Sequence, residues 1–195
     1  SVICGRPGSG KSMLEKWIAL NKILATANDN HIILIIDPER EYAPLVKALN
    51  GEVVYLSAQS KTYVNAMDIS SGYDKTENPI IDKAEFMLSL CEQLMYPTIV
   101  GPKQKSLIDR CTEFVLRDYV RGGCVGTAPT LKDFYECMRQ QPEEEAKDIA
   151  LSLEIYATGS LSVFANQTNV DMRNHIICFD IHDLGESLMG MAMLI

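Results

Sequence analysis

Residues 1–4 form a short apolar run that stops at Gly5, the pattern of a buried parallel strand. Met13, Leu14, Trp17, Ile18, Leu20, Ile23 and Leu24 then recur at spacings of three and four through Ala27. That period predicts an amphipathic helix, which Asn28-Asp29-Asn30 breaks. Residues 32–36 are apolar and mostly β-branched, too short a run for a helix, and read as a strand ended by Asp37-Pro38. A short helix is expected over residues 41–50, with Gly51 in the left-handed position that follows a helix C-terminus. Residues 53–56 are a third strand. This alternation predicts an α/β fold with a parallel sheet and right-handed crossovers.

The pattern changes after residue 70. A loop over 70–74 precedes four helical periods with no strand among them. The first opens on Asn78 as cap with Pro79 behind it and runs to about Tyr96. The second spans about 103–121 and closes on Gly122-Gly123. The third starts at Thr130, with Asp133 completing a capping box. The fourth starts near Pro142, carries Glu143, Glu144 and Glu145 in its first turn, and places Ala146, Ile149, Ala150, Leu153 and Tyr156 on one face. A strand returns at 175–181, and 184–195 begin another helix whose Leu188 to Met193 stretch reads as packed core.

Composition changes this picture little. With 47% apolar and 23% charged residues in 195, disorder and collagen-like architectures are excluded. Acidic residues outnumber basic ones 26 to 18, a net charge of −8, so the whole-chain excess of positive charge typical of a small nucleic-acid-gripping module is missing. The six cysteines show no CxxC pair and no zinc-ligand spacing. Most sit in apolar stretches as small hydrophobes, which points to a reducing cytosolic setting. No apolar run approaches the roughly 20 residues of a bilayer span, and no signal-peptide pattern is visible. Residue 1 falls inside a strand pattern and residue 195 inside a helical one, as expected for a piece of a longer chain.

One motif carries chemistry. Gly5-Arg6-Pro7-Gly8-Ser9-Gly10-Lys11-Ser12 matches GxxxxGK[ST] at every fixed position and lies between a predicted strand and a predicted helix, followed by Met13. Glycines let the loop turn its N–H groups inward as an anion nest, and the helix adds its positive N-terminal dipole. Lys11 is expected to reach the β- and γ-phosphates of a nucleotide such as ATP, and the Ser12 hydroxyl to ligate Mg²⁺. Hydrolysis also asks for a carboxylate at a strand end to hold the metal and orient water. Two runs have that shape, 32–36 followed by Asp37 and 176–179 followed by Asp180, and neither Asp is followed by Glu. Asp37 and Glu41 lie just past a strand end, where α/β sheets bind ligands, so that Asp37 is a candidate for the metal and Glu41 for the γ-phosphate. The same two residues read equally as the caps of a helix start. Asp180 reads first as a strand-end loop residue.

Other features are weaker. Lys103, Lys105, Arg110, Arg117 and Arg121 lie along one predicted helix, but Asp109, Glu113 and Asp118 interleave, the pattern of a solvated face more than of a DNA groove. Arg173 could act in trans as an arginine finger, though an ordinary surface arginine is the simpler reading. His31, His175 and His182 have no Ser or Cys pattern around them that suggests a nucleophile.

The P-loop, then Ile36-Asp37-Pro38-Glu39-Arg40-Glu41-Tyr42, then Asn65-Ala66-Met67-Asp68-Ile69, closely resembles the large VirB-type ATPase family of type IV secretion and conjugative transfer. Pro129-Thr130-Leu131-Lys132-Asp133-Phe134, Tyr156-Ala157-Thr158-Gly159-Ser160-Leu161 and Phe179-Asp180-Ile181-His182-Asp183-Leu184 continue the likeness in the same order. The resemblance implies an incomplete RecA-like P-loop NTPase sheet with an inserted all-helical subdomain. The expected division is 1–72 core, 73–158 helical insert and 159–195 core again. It implies an ATP- and Mg²⁺-dependent motor at the cytoplasmic face of a membrane, related to hexameric DNA-pumping ATPases. Its implied partners are other type IV secretion channel subunits and ATPases, further copies of itself, and DNA as a substrate. Gly5, Gly8, Gly10, Lys11 and Ser12 carry over for nucleotide and metal, and Asp37 and Glu41 as the acidic motif after the second strand. Asn65-Ala66 stands where the family commonly has Asn-Pro. The family's Asp-Glu Walker B pair falls beyond residue 195, so Asp180 is not expected to be its aspartate, and poor hydrolysis by these residues alone is expected.

Overall fold

The computed structural model describes residues 6, 10–25, 32–69, 78–171 and 173–195. The predicted strand at 1–4, His31 and the loop at 70–74 lie outside the described residues. The chain divides into two compact units: Ser1–Tyr55 with Asp171–His182, and Leu56–Val170 with Asp183–Ile195.

Among the described residues the first unit holds a sheet of three parallel strands, β1 (Ile33–Asp37), β2 (Glu52–Tyr55) and β3 (Ile176–Asp180), in the order β1-β3-β2. The strand that comes last in sequence is therefore central. β1 and β2 each pair with it and not with each other, which alternation along the chain did not reveal. β3 is the most buried strand, as expected of one with neighbours on both edges. Helices α1 (Lys11–Ala25) and α2 (Ala43–Ala48) belong to this unit. Its core is Ile23, Val46, Ile176 and Cys178, with Ile33, Ile35, Tyr42, Leu49 and Val53 packed against it. Along β1, Leu34 and Ile36 alternate with these inward residues and are exposed.

The turn after α2 differs from its sequence reading in an instructive way. Asn50, not Gly51, takes the left-handed conformation, with φ 57. Gly51 is required by space: a Cβ there would lie 2.7 Å from Val46 Cγ1 and 2.9 Å from the Ile176 carbonyl oxygen.

The second unit is helical: α3 (Pro79–Met95), α4 (Pro102–Arg121), α5 (Leu131–Arg139), α6 (Glu144–Ala157) and α7 (Glu186–Ala192). The start signals read from the sequence operate as expected. Asn78 Oδ1 accepts the Ile80 N–H at 3.2 Å, and Asp133 accepts both the Thr130 N–H at 2.7 Å and its hydroxyl at 2.8 Å. Ala146, Ile149, Ala150 and Leu153 line the buried face of α6, which Ala157 completes where Tyr156 was expected. Leu188 and Met191 of α7 are fully buried. Residues 56–69 and 159–170 group with the helices in this second unit.

Candidate functional site

α1 begins directly at the end of the GxxxxGK[ST] motif. Gly10 sits at φ 84, a conformation L side chains rarely adopt, while the space a Cβ would occupy has no neighbour within 4 Å. Conformation and not space therefore demands glycine there. The first helical hydrogen bond runs from the Leu14 N–H to the Gly10 carbonyl at 3.0 Å. Helix geometry thus leaves the amides of Lys11, Ser12 and Met13 without intrahelical acceptors, at the positive end of a 15-residue helix with no acidic side chain in its first turn. That end suits a phosphate group. Lys11 is half-buried and Ser12, Met13 and Arg6 are exposed. Gly5, Pro7, Gly8 and Ser9 lie outside the described residues.

The face of α1 that carries Lys11 and Ser12 meets the loop after β1. One turn on from Lys11 and Ser12 stand Glu15 and Lys16. Lys16 Nζ donates to Glu41 Oε2 at 2.9 Å and lies over the Tyr42 ring, 5.4 Å from its centroid. The Tyr42 hydroxyl donates to Glu15 Oε2 at 3.3 Å. Burial, reinforced by Glu15, pushes the Tyr42 hydroxyl up to about 12, which keeps it a donor. The structure therefore brings the helix of the phosphate motif and the acidic segment of residues 37–42 together.

Within that segment Asp37 and Glu41 have different surroundings. Asp37 is 1% exposed, and its two oxygens accept the N–H groups of Glu41 at 3.1 Å and Tyr42 at 2.8 Å. It caps the turn that leads into α2. Glu41 is exposed and turned toward α1. Asp180, the register partner of Asp37 on β3, is 0% exposed. It accepts Arg40 Nε at 2.7 Å, Arg40 Nη2 at 3.3 Å and the His182 N–H at 3.2 Å. Asp180 is thus an anchored buried carboxylate and not the loop residue first read. Lys16, Arg40 and Tyr42 were not singled out from the sequence as parts of this site. Lys16 stands one turn after Ser12, a spacing that could have flagged it, whereas nothing local announces a partner for Arg40 that is 140 residues away.

The remaining candidates are accounted for by local partners. Arg173 donates Nε and Nη2 to Asp171 at 2.8 and 2.6 Å, and this pairing holds the Asp171 carboxyl down at about 2. Along α4, Lys103 pairs with Glu145, Lys105 with Glu92 and Arg110 with Glu143, each within 2.9 Å, so most of the basic row is neutralised by carboxylates. The Asn65-Ala66-Met67-Asp68 motif is a buried clasp. Asn65 donates to Asp68 Oδ1 at 2.9 Å and to the Pro129 carbonyl at 2.8 Å, and accepts the Met67 N–H at 3.0 Å. The Thr168 hydroxyl closes it on the other Asp68 oxygen. Among the described residues no group of three His, Cys, Asp or Glu could hold a metal, and no helix is long and apolar enough to cross a membrane.

A parallel α/β sheet whose strands are separated in sequence by a long helical segment is consistent with a partial RecA-like fold. The chain is similar to a solved structure, VirB4 of Thermoanaerobacter pseudethanolicus, with TM-score 0.69 and 23% identity over 92% of this chain. It spans about half of that chain, 48%. No protein-family profile matches the sequence, and no curated protein does either.

Proposed function

We propose that this chain is the ATP-binding part of a motor ATPase of the type IV secretion and conjugative-transfer kind. The observation that carries the reading is the opening of α1: Gly10 at φ 84, then Lys11 and Ser12 with their amides free of intrahelical acceptors. The VirB4 fold likeness supports the choice of motor class. In this reading Gly5, Arg6, Pro7, Gly8, Ser9, Gly10 and Met13 wrap the phosphates with their backbone, and Lys11 reaches the terminal ones. Ser12 is the residue that would hold Mg²⁺, and Asp37, whose oxygens already accept two amides, would orient the ion's water shell. Bound Mg²⁺ supplies charge neutralisation to the phosphates. Glu41 is the proposed carboxylate facing the γ-phosphate, and residues 73–158 the proposed helical insert. The full-length protein would act at the cytoplasmic face of a membrane, assemble with copies of itself and with channel subunits and other ATPases, and move DNA or protein. The paired basic row on α4 argues against that helix as the DNA-gripping surface.

Phosphate release by the full-length protein tests this. Lys11→Ala is expected to lower the rate at least tenfold. Equal rates for the variant and the wild type would reject the assignment.

A further inference from the structure

Two buried carboxylates stand side by side at the carboxyl ends of neighbouring strands, Asp37 on β1 and Asp180 on β3. Each holds a different part of the loop at 38–42. Asp37 takes the backbone amides of Glu41 and Tyr42 from one side. Asp180 takes the guanidinium of Arg40 in a two-bonded fork from the other. Between these anchors Arg40 sits at φ 57, a left-handed conformation that is uncommon for residues other than glycine. Glu41 follows immediately. Its backbone is pinned by Asp37, its direction is set by the turn at Arg40, and its carboxylate meets Lys16 of α1 at 2.9 Å. A charged fork to a carboxylate that is 0% exposed is a costly way to fasten a surface loop, because the buried charge must stay paired. It makes sense where the orientation of the next side chain matters.

We infer that Arg40 and Asp180 are positioning residues that aim the Glu41 carboxylate along the α1 face carrying Lys11 and Ser12. The inference rests on the nucleotide-binding reading above and adds to it how Glu41 is held. Arg40 does not touch the nucleotide. Without the fork the loop keeps its Asp37 anchor, so ATP still binds, but Glu41 swings away from the direction productive for attack on the γ-phosphate.

The test uses the full-length protein, with ATP and a fluorescent ATP analogue as probes. Arg40→Gly removes the guanidinium while suiting the left-handed backbone, so the loop's strain is relieved rather than increased. Its affinity for the analogue is expected to stay within twofold of wild type, with kcat for phosphate release at least tenfold lower. Glu41→Gln is expected to lose kcat similarly. The double variant Arg40→Gly/Glu41→Gln should be no slower than Glu41→Gln alone, because both changes remove one contribution. Arg40→Lys, which keeps the charge but not the fork, should recover only part of the rate. A kcat within twofold of wild type for Arg40→Gly, or losses that multiply in the double variant, would overturn the inference. Should Arg40→Gly fail to fold, Asp180→Asn, which keeps an acceptor for the His182 amide, replaces it in the same cycle, and the same outcomes support or overturn the inference. Lys11→Ala separates the two levels. If it binds the analogue as tightly as wild type, the nucleotide reading fails; if it loses binding while Arg40→Gly keeps full kcat, only the positioning role fails.

Discussion

A methyl group at Gly51 would meet Val46 Cγ1 at 2.7 Å and Ile176 Cβ at 2.9 Å, both parts of the first unit's core. Gly51→Ala is therefore expected to destabilise by about 1–3 kcal/mol, read as a lower urea midpoint. The sequence marks this glycine but not its full reason, since two of the three closest atoms belong to Ile176 of β3, more than a hundred residues away. Asn65 is a second such position. Asn65→Ala would strip partners from Asp68, the Pro129 carbonyl and the Met67 amide, at an expected cost of about 3 kcal/mol. Thiols give a pH-linked check. Burial pushes Cys91 and Cys178 up to about 12. Their folded values lie above the unfolded ones, so the stability they contribute is present below about pH 8.5 and is lost as pH rises toward 12. With iodoacetamide at about pH 8, close to the ordinary thiol value, both are expected to stay unmodified in native protein while half-exposed Cys124 reacts, and all three to react in urea. Early modification of Cys91 would contradict its burial. The Arg40–Asp180 fork shows the limit of reading residues singly: each is visible as a charge, and only the fold pairs them.

Helices are the elements the sequence states most clearly. Their period, caps and closing glycines are local, and α3, α4, α5 and α6 begin within two residues of their expected starts. Thr130→Ala, which removes the hydroxyl from the α5 capping box, is expected to cost about 1 kcal/mol in chemical denaturation. On α4, interleaved acids in the sequence already argued against a nucleic-acid groove, and the ion pairs across to α3 and α6 supply the physical reason. Lys103→Ala/Arg110→Ala is accordingly expected to leave DNA affinity within twofold of wild type in a mobility-shift titration. A loss of tenfold or more would return that face to consideration.

For the whole molecule, local pattern conveys class but not arrangement. Alternating strands and helices point to a parallel α/β sheet, and three parallel strands are found among the described residues. That β3 enters between β1 and β2 depends on long-range pairing that no local period records. Residues 61–69 and 166–169 have no helical period, yet they are fastened to one another and to Ala128 and Pro129 by side-chain amides and a hydroxyl. The candidate site was half legible. The phosphate motif is a contiguous string, whereas the apposition of α1 and the acidic loop through Lys16, Glu41 and Tyr42 exists only in the fold. Nucleotide binding at the opening of α1, as proposed, is tested by a calorimetric titration of this 195-residue chain with ATP and Mg²⁺. Saturable binding that Lys11→Ala weakens at least tenfold is the predicted result. Equal affinity of the two proteins, or no binding by either, would contradict it.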